Sequence, residues 1–232
     1  MTGKPASNRV YLVHVKDEEA GMSGQEKRKT RDAEATKKRI MQAAKKEFAK
    51  HGLAGARVDE IAERAKANKR MIYHYFGSKE DLFQAVLEEA YLDIRTAEQK
   101  LDLEALPPDE ALERLVRFTW NYYLKNPEFI TLVNSENLHR ARHLKKSERI
   151  KIASRKFVGM MDGLLDRGVK EGVFRPGIDA TQLNITIAAI GYYYLTNRFT
   201  AAIVFERDMM AKDALEERLA FNIDTVMRLV KV

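Results

Sequence analysis

Residues 68–83 read NKRMIYHYFGSKEDLF, and the fold turns on how this stretch is laid out. At about 100° per residue, a helix here gathers Lys69, Arg70, Tyr73 and His74 on one arc. Met71, Ile72, Tyr75 and Phe76 fall on the opposite arc. The second arc is apolar enough to bury, which turns the first outward. Two cations, a phenol and an imidazole on one face can bond phosphates and base edges. The plainer reading is a solvated polar face, and the flanking residues decide between them.

Upstream, VDEIAERA places Val58, Ile61, Ala62 and Ala65 at the spacing of a one-sided helix. Only Lys66 and Ala67 separate it from Asn68, a residue suited to cap the next helix by accepting a backbone N–H. Two short helices joined so tightly form a helix-turn-helix, which presents its second helix to a DNA major groove. Downstream, Ser78 and Asp81 have the spacing of a capping box. Lys79 then lies in a first helical turn, where the dipole favours anions. A lysine at that place argues for a phosphate contact, since helix stability alone would favour an acid.

The run from Thr36 to Glu89 resembles the DNA-binding domain of the TetR family of bacterial transcription regulators. The matching residues are I-x-x-A-A-x-x-x-F-x-x-x-G from Ile40, V-x-x-I-A-x-x-A from Val58, and I-Y-x-Y-F-x-S-K-E-x-L-F from Ile72. The resemblance implies an all-helical homodimer. Its N-terminal domain would bind a double-stranded, palindromic operator, and its C-terminal domain a small-molecule effector. Carried over by position, it makes Tyr73 and Lys79 phosphate contacts and turns Lys69, Arg70 and His74 toward the groove. Asn68 caps that helix within the DNA-binding set, and Arg57 occupies a position that often contacts the DNA backbone. One departure is Lys66, where the family usually has glycine. A lysine at positive φ costs about 1 kcal/mol, so either the strain is tolerated or the turn differs. The NPEFITLVNSENLHRARHL and GVFRPGIDATQL segments are loosely similar to the pyrimidine-utilisation regulators of the family.

Composition agrees with this reading. Hydrophobic residues make up 45% of the 232, enough for a sizeable core. With no cysteine there is no disulfide framework, thiolate nucleophile or zinc finger. From Lys27 to Lys79, sixteen Lys or Arg face six Asp or Glu, a local charge of +10; the whole chain carries +7, so the remainder is −3. The basic excess therefore lies where DNA would be met. The Lys37 to Lys50 stretch offers mostly alanine on its apolar side, which suits a membrane surface poorly.

Residues 1–32 read as a flexible extension, with no signal-peptide core. Met22 opens a more usual start for the family. The KRKTR run at Lys27–Arg31 reads as a solubilising tail or a DNA-reaching arm. Residues 33–92 form the expected DNA-binding domain and 93–232 the ligand-binding and dimerisation domain. There, helices are expected after Pro107, after Pro127 and from Ser147 to Lys170. Ala180–Phe205 is apolar nearly all round, and Leu215, Leu219, Ile223, Val226 and Val230 stripe a last helix. An all-round apolar helix needs its own domain on one face and a partner on the other, and in the family the last two helices make the dimer's bundle. The Ala180 helix is too interrupted to span a membrane, and a cytoplasmic protein is expected.

Trp120, Tyr123, Asn184 and Tyr193 are the candidate ligand-binding residues, because clustered aromatics with amides suit a small-molecule pocket; plain core is the competing reading. Glu136, His139 and His143 have metal-ligand types at i, i+3, i+7. Arg140, Arg142, Lys145 and Lys146 would repel a cation, so an exposed charged helix is expected, with no metal and no cofactor. No nucleophile elbow, phosphate loop or H-E-x-x-H helix is present, so no enzyme is expected. The alternative is a DNA-binding scaffold of the same fold without an effector, which a sealed C-terminal core would favour.

Overall fold

The computed structural model describes residues 24–232, with side chains from residue 31. Ten helices and no strand occur among the described residues. They are α1 Gly24–Gly55, α2 Val58–Ala65, α3 Lys69–Phe76, α4 Lys79–Gln99, α5 Pro108–Lys125, α6 Pro127–Leu138, α7 Glu148–Lys170, α8 Ala180–Thr196, α9 Arg198–Val204 and α10 Lys212–Val230. No described helix is long and apolar enough to cross a membrane. Most of the expected extension, with RVYLVHV, lies outside the described residues. From Gly24 onward the backbone is helical, so the KRKTR run sits on α1, and the boundary expected at 32 does not fall at a break in the helix.

Local chemistry explains the helix ends. Gly52 (φ 64°, ψ 178°) bends α1 before its last residues, a conformation that suits a residue without Cβ. Pro108 and Pro127 open α5 and α6, where a missing N–H costs nothing. Ser147 caps α7 by accepting from the Ile150 N–H, and Asp179 caps α8 by accepting from Gln182. The expected helix from Ala180 to Phe205 is two helices. At Asn197 the backbone leaves helical geometry (φ −95°, ψ 6°), and the Asn197 side chain donates to the Tyr193 carbonyl, closing α8.

Two apolar cores organise the chain. The first takes Ile40, Phe48, Ile61, Ile72, Phe83 and Val86 from α1–α4 and continues without a gap into Trp120, Tyr123, Phe129 and Leu132 of α5 and α6. The second joins α5, α7, α8 and α10 through Leu112, Leu115, Met161, Leu183, Val226 and Val230. At Gly168 an added Cβ would lie 1.9 Å from the Phe174 ring, so only glycine lets the chain fold back over α7. Val226 and Val230 of the α10 stripe pack on their own core and Ile223 is turned half inward. The outer faces of α8 and α10 instead expose Ile185, Tyr193, Phe221 and Leu229.

Candidate nucleic-acid interface and effector region

α2 is clamped to α1 at both ends. The buried Glu47 carboxylate accepts from the Arg57 backbone N–H at 3.2 Å and lies 3.7 Å from Arg64. Arg39 donates to the Ala65 carbonyl at 3.1 Å, satisfying a group the helix leaves open. With Val58, Ile61, Ala62 and Ala65 buried, α2 has one seating. Lys66 then takes the left-handed conformation (φ 50°, ψ 47°), and the Ala67 N–H reaches back to the Ala62 carbonyl at 3.0 Å. The turn thus keeps the shape a glycine would give, and the lysine bears the strain.

α3 starts where the sequence places it, with Asn68 Oδ1 accepting from the Arg70 N–H at 2.8 Å. Ile72 is buried and Met71, Tyr75 and Phe76 are half-buried, while Lys69, Arg70, Tyr73 and His74 all face out. Their electrostatic situations differ. Lys69 Nζ lies 2.9 Å from Asp59, and that hydrogen bond and charge raise the lysine's pKa. Arg70 has no carboxylate partner among the described residues, so it is the recognition face's uncommitted cation. Arg57 extends into solvent 3.6 Å from Glu60.

Gly77 (φ 85°) turns the chain into α4, where Ser78 Oγ accepts from the Asp81 N–H at 3.0 Å. Lys79 is less free than its position suggests. Its ammonium donates to the Ala56 carbonyl at 3.2 Å and the Ala54 carbonyl at 3.4 Å. That ties α4 to the end of α1 and to the residue that precedes Arg57.

Residues 40–86 match the family model described as bacterial regulatory proteins, tetR family, and residues 108–226 match that described as tetracyclin repressor-like, C-terminal domain. This chain belongs to the TetR family. Like its relatives, this TetR-family regulator is a DNA-binding transcription factor. It is 40% identical over 200 residues to the HTH-type transcriptional repressor NicS of Pseudomonas putida, covering 86% of this chain and 94% of that one. It is 36% identical over 162 residues to the HTH-type transcriptional repressor SCO4008 of Streptomyces coelicolor, covering 69% and 78%. Among solved structures, the putative regulator SCO4942 of S. coelicolor superposes with a TM-score of 0.64 at 28% identity, covering 84% of this chain and 98% of that one.

In the C-terminal part of this TetR-family regulator, the four candidate ligand residues do not come together. Trp120 and Tyr123 are buried, Trp120 edge-on to Tyr194 at 5.6 Å and Tyr123 stacked on Phe129 at 6.0 Å. Burial raises the Tyr123 phenol's pKa well above its ordinary value. Gly191 lets α8 approach closely here, its absent Cβ facing both rings at 3.4–3.5 Å. Asn184 is half-buried, and Tyr193 is 66% exposed on the outer face of α8. The inward rings meet one another, Tyr123 also edge-on to Tyr192 at 6.4 Å, while Tyr193 lines a cavity with Tyr194 and Asn197.

Glu136 and His143, expected on an exposed helix, are buried and bonded to each other. His143 Nδ1 donates to Glu136 Oε2 at 2.6 Å, and Glu136 Oε1 accepts the His143 and Leu144 N–H groups at 2.8 and 3.0 Å. Among the described residues no cluster of three such side chains could hold a metal. The His143 ring stands edge-on to Phe83 of α4 at 5.1 Å. Nearby, Ser147 bonds Glu88 of α4, which also lies 3.6 Å from Arg149. The end of α6 is thereby braced against the helix that follows the recognition helix. The i, i+7 spacing of Glu136 and His143 was visible in sequence, but what covers them was not.

Proposed function

We propose that the protein is a cytoplasmic, homodimeric repressor that holds a palindromic double-stranded operator through α2 and α3 and is released by a small-molecule effector. The observation that carries this reading is the outward face of α3, with four polar residues on a rigidly clamped two-helix unit. In this reading Arg70 and His74 reach base edges, joined by Lys69 when it exchanges Asp59 for DNA. Tyr73, Lys79 and Arg57 meet phosphates, and Asn68 holds the helix end that presents them. Residues 33–92, together with the preceding turns of α1, form the DNA-binding head; residues 93–232 bind effector and partner. The exposed Ile185, Tyr193, Phe221 and Leu229 are the side chains a second copy would cover. The NicS and SCO4008 names, both repressors, support the sign of regulation.

Release follows from spacing. Two recognition helices must meet successive major grooves, and an effector that favours another separation draws the dimer away from DNA. The brace of Glu136 and His143 on Phe83 gives such a change a rigid path into α4. The test is sequencing of the fragments that purified protein retains from sheared genomic DNA. A shared inverted repeat is expected; retention with no common sequence refutes an operator.

A scaffold without an effector has one observation on its side, the burial of Trp120 and Tyr123 among other aromatic rings. A metabolite that lowers operator affinity decides against it.

A further inference from the structure

The C-terminal half has open space beside α8 that Trp120 and Tyr123 do not line. Between α8, the loop after α9 and α10 lie two adjoining cavities of about 180 and 250 Å³ that share Tyr194, Met209 and Arg218. Arg218 sits at their junction. Its Nη2 donates to the Ile190 carbonyl at 3.0 Å, while its Nε is buried with no hydrogen-bond partner. The neighbouring Glu217 is bonded to Arg207. Arg218 therefore has no carboxylate partner among the described residues, and the cavity wall keeps one surplus positive charge. The guanidinium is half-buried, and a charge drawn partly out of water with no counter-ion beside it is one that an anion relieves. Burial also lowers the arginine's pKa, the expected mark of a cation short of counter-charge.

The surroundings specify what kind of anion. The rings of Tyr194 and Phe221 each lie 5.4 Å from the guanidinium carbon, so aromatic faces flank the cation in the cavity wall. The Tyr194 hydroxyl is already used, donating to the Met209 carbonyl at 2.9 Å. The remaining walls are apolar, with Ala201, Phe205 and Met209. A guanidinium fork matches a carboxylate in two parallel hydrogen bonds. A single surplus charge suits a monoanion, whereas phosphate would call for more cations. Cavities of this size are below those of drug-sized ligands.

We propose that Arg218 anchors a small aromatic monocarboxylate in these adjoining cavities, beside the Tyr194 and Phe221 rings that line them. Tyr193, Phe205 and Phe221 form the exposed rim, so a second copy on the outer faces of α8 and α10 would close the site from outside. This inference rests on the reading of a ligand-controlled homodimer and names its ligand class. The site's place at the proposed interface lets the ligand act on the separation of the two subunits.

The test titrates the full chain by calorimetry and thermal unfolding with benzoate, phenylacetate and 4-hydroxybenzoate, each beside its neutral amide. At least one acid should bind and raise Tm, with its amide at least tenfold weaker. Arg218→Gln should weaken that acid at least tenfold while circular dichroism and sedimentation stay unchanged, and Arg218→Lys, which keeps charge but loses the fork, should fall between. Acids and amides binding alike, no acid binding, or full affinity in Arg218→Gln overturns the site. A dimer that falls apart in Arg218→Gln without any acid sensitivity in the parent also overturns it, because Arg218 is then paired with the partner. Operator binding measured on the same samples separates the two readings. An acid that binds through Arg218 and leaves operator affinity untouched establishes the site and removes its role as effector.

Discussion

Glu98→Gln should make this protein more stable at alkaline pH and hardly change it in acid. Glu98 is 2% exposed near the end of α4, beside Arg95, whose guanidinium lies over the Phe157 ring at 4.3 Å. Arg95 Nη1 is 3.0 Å from Glu98 Oε2, yet that oxygen and Arg95 Nε make no well-directed hydrogen bond. Burial outweighs the guanidinium's attraction and pushes the carboxyl pKa up to about 7 from an ordinary 4.5. Between those two values the unfolded chain has released its proton and the native protein still holds it. Stability therefore falls as pH rises through that window, by about 1.4 kcal/mol for each pH unit, or about 3 kcal/mol in all. Glutamine copies the neutral acid's shape and never ionises. The assay is urea unfolding of both proteins from pH 4.5 to 9 at fixed protein concentration, since a dimer's stability depends on it. The variant's advantage should grow from near zero to a few kcal/mol by pH 8 and then level off. Parallel curves, or an advantage that shrinks with rising pH, would refute the account of Glu98 as a buried, proton-holding acid.

Other substitutions probe the DNA-binding head and the outer face. Arg70→Ala should cost about 1–3 kcal/mol of operator affinity and relax selectivity at one base position, while Lys79→Ala should weaken operator and random DNA alike and lower the salt slope by about one; fluorescence anisotropy across a salt series reads both. Phe221, 60% exposed in the single chain, should tolerate glutamate as a monomer, so Phe221→Glu is expected to shift sedimentation from dimer to monomer without loss of helicity. Lys66→Gly should remove left-handed strain and raise stability by roughly 0.5–1 kcal/mol, read by thermal unfolding.

The head was legible because its determinants are local. The burial pattern of α2 and α3, the Asn68 and Ser78 caps and the left-handed Lys66 follow from neighbours a few residues apart. Glu136 and His143 lay beyond such reading. Their surface-like neighbours Arg140, Arg142, Lys145 and Lys146 set the expectation, while α4 packing across them set the outcome. The aromatics of α5 and α8 divide for a related reason: periodicity brings Trp120 and Tyr123 to one face without telling that Phe129 and Tyr194 meet them there, while Tyr193 lines a cavity on the other side of α8. Arg218 gave no signal at all, since an arginine in a charged helix is legible as exceptional only once Glu217 is seen bonded to Arg207.

Phe48, Phe83, Trp120 and Phe129 share one core, and this limits how such a protein can diverge. A head exchanged at residue 92 would arrive without the surface that Phe129, Ile130 and Leu132 pack against, and without the Phe83 ring that His143 meets. The transplanted half would carry a mismatched interior seam. Operator preference can drift far more cheaply at Lys69, Arg70 and His74, which touch solvent and leave that seam alone. Among relatives of this chain, new DNA targets should therefore arise by point replacement on α3, with whole heads inherited together with the α6 they rest on.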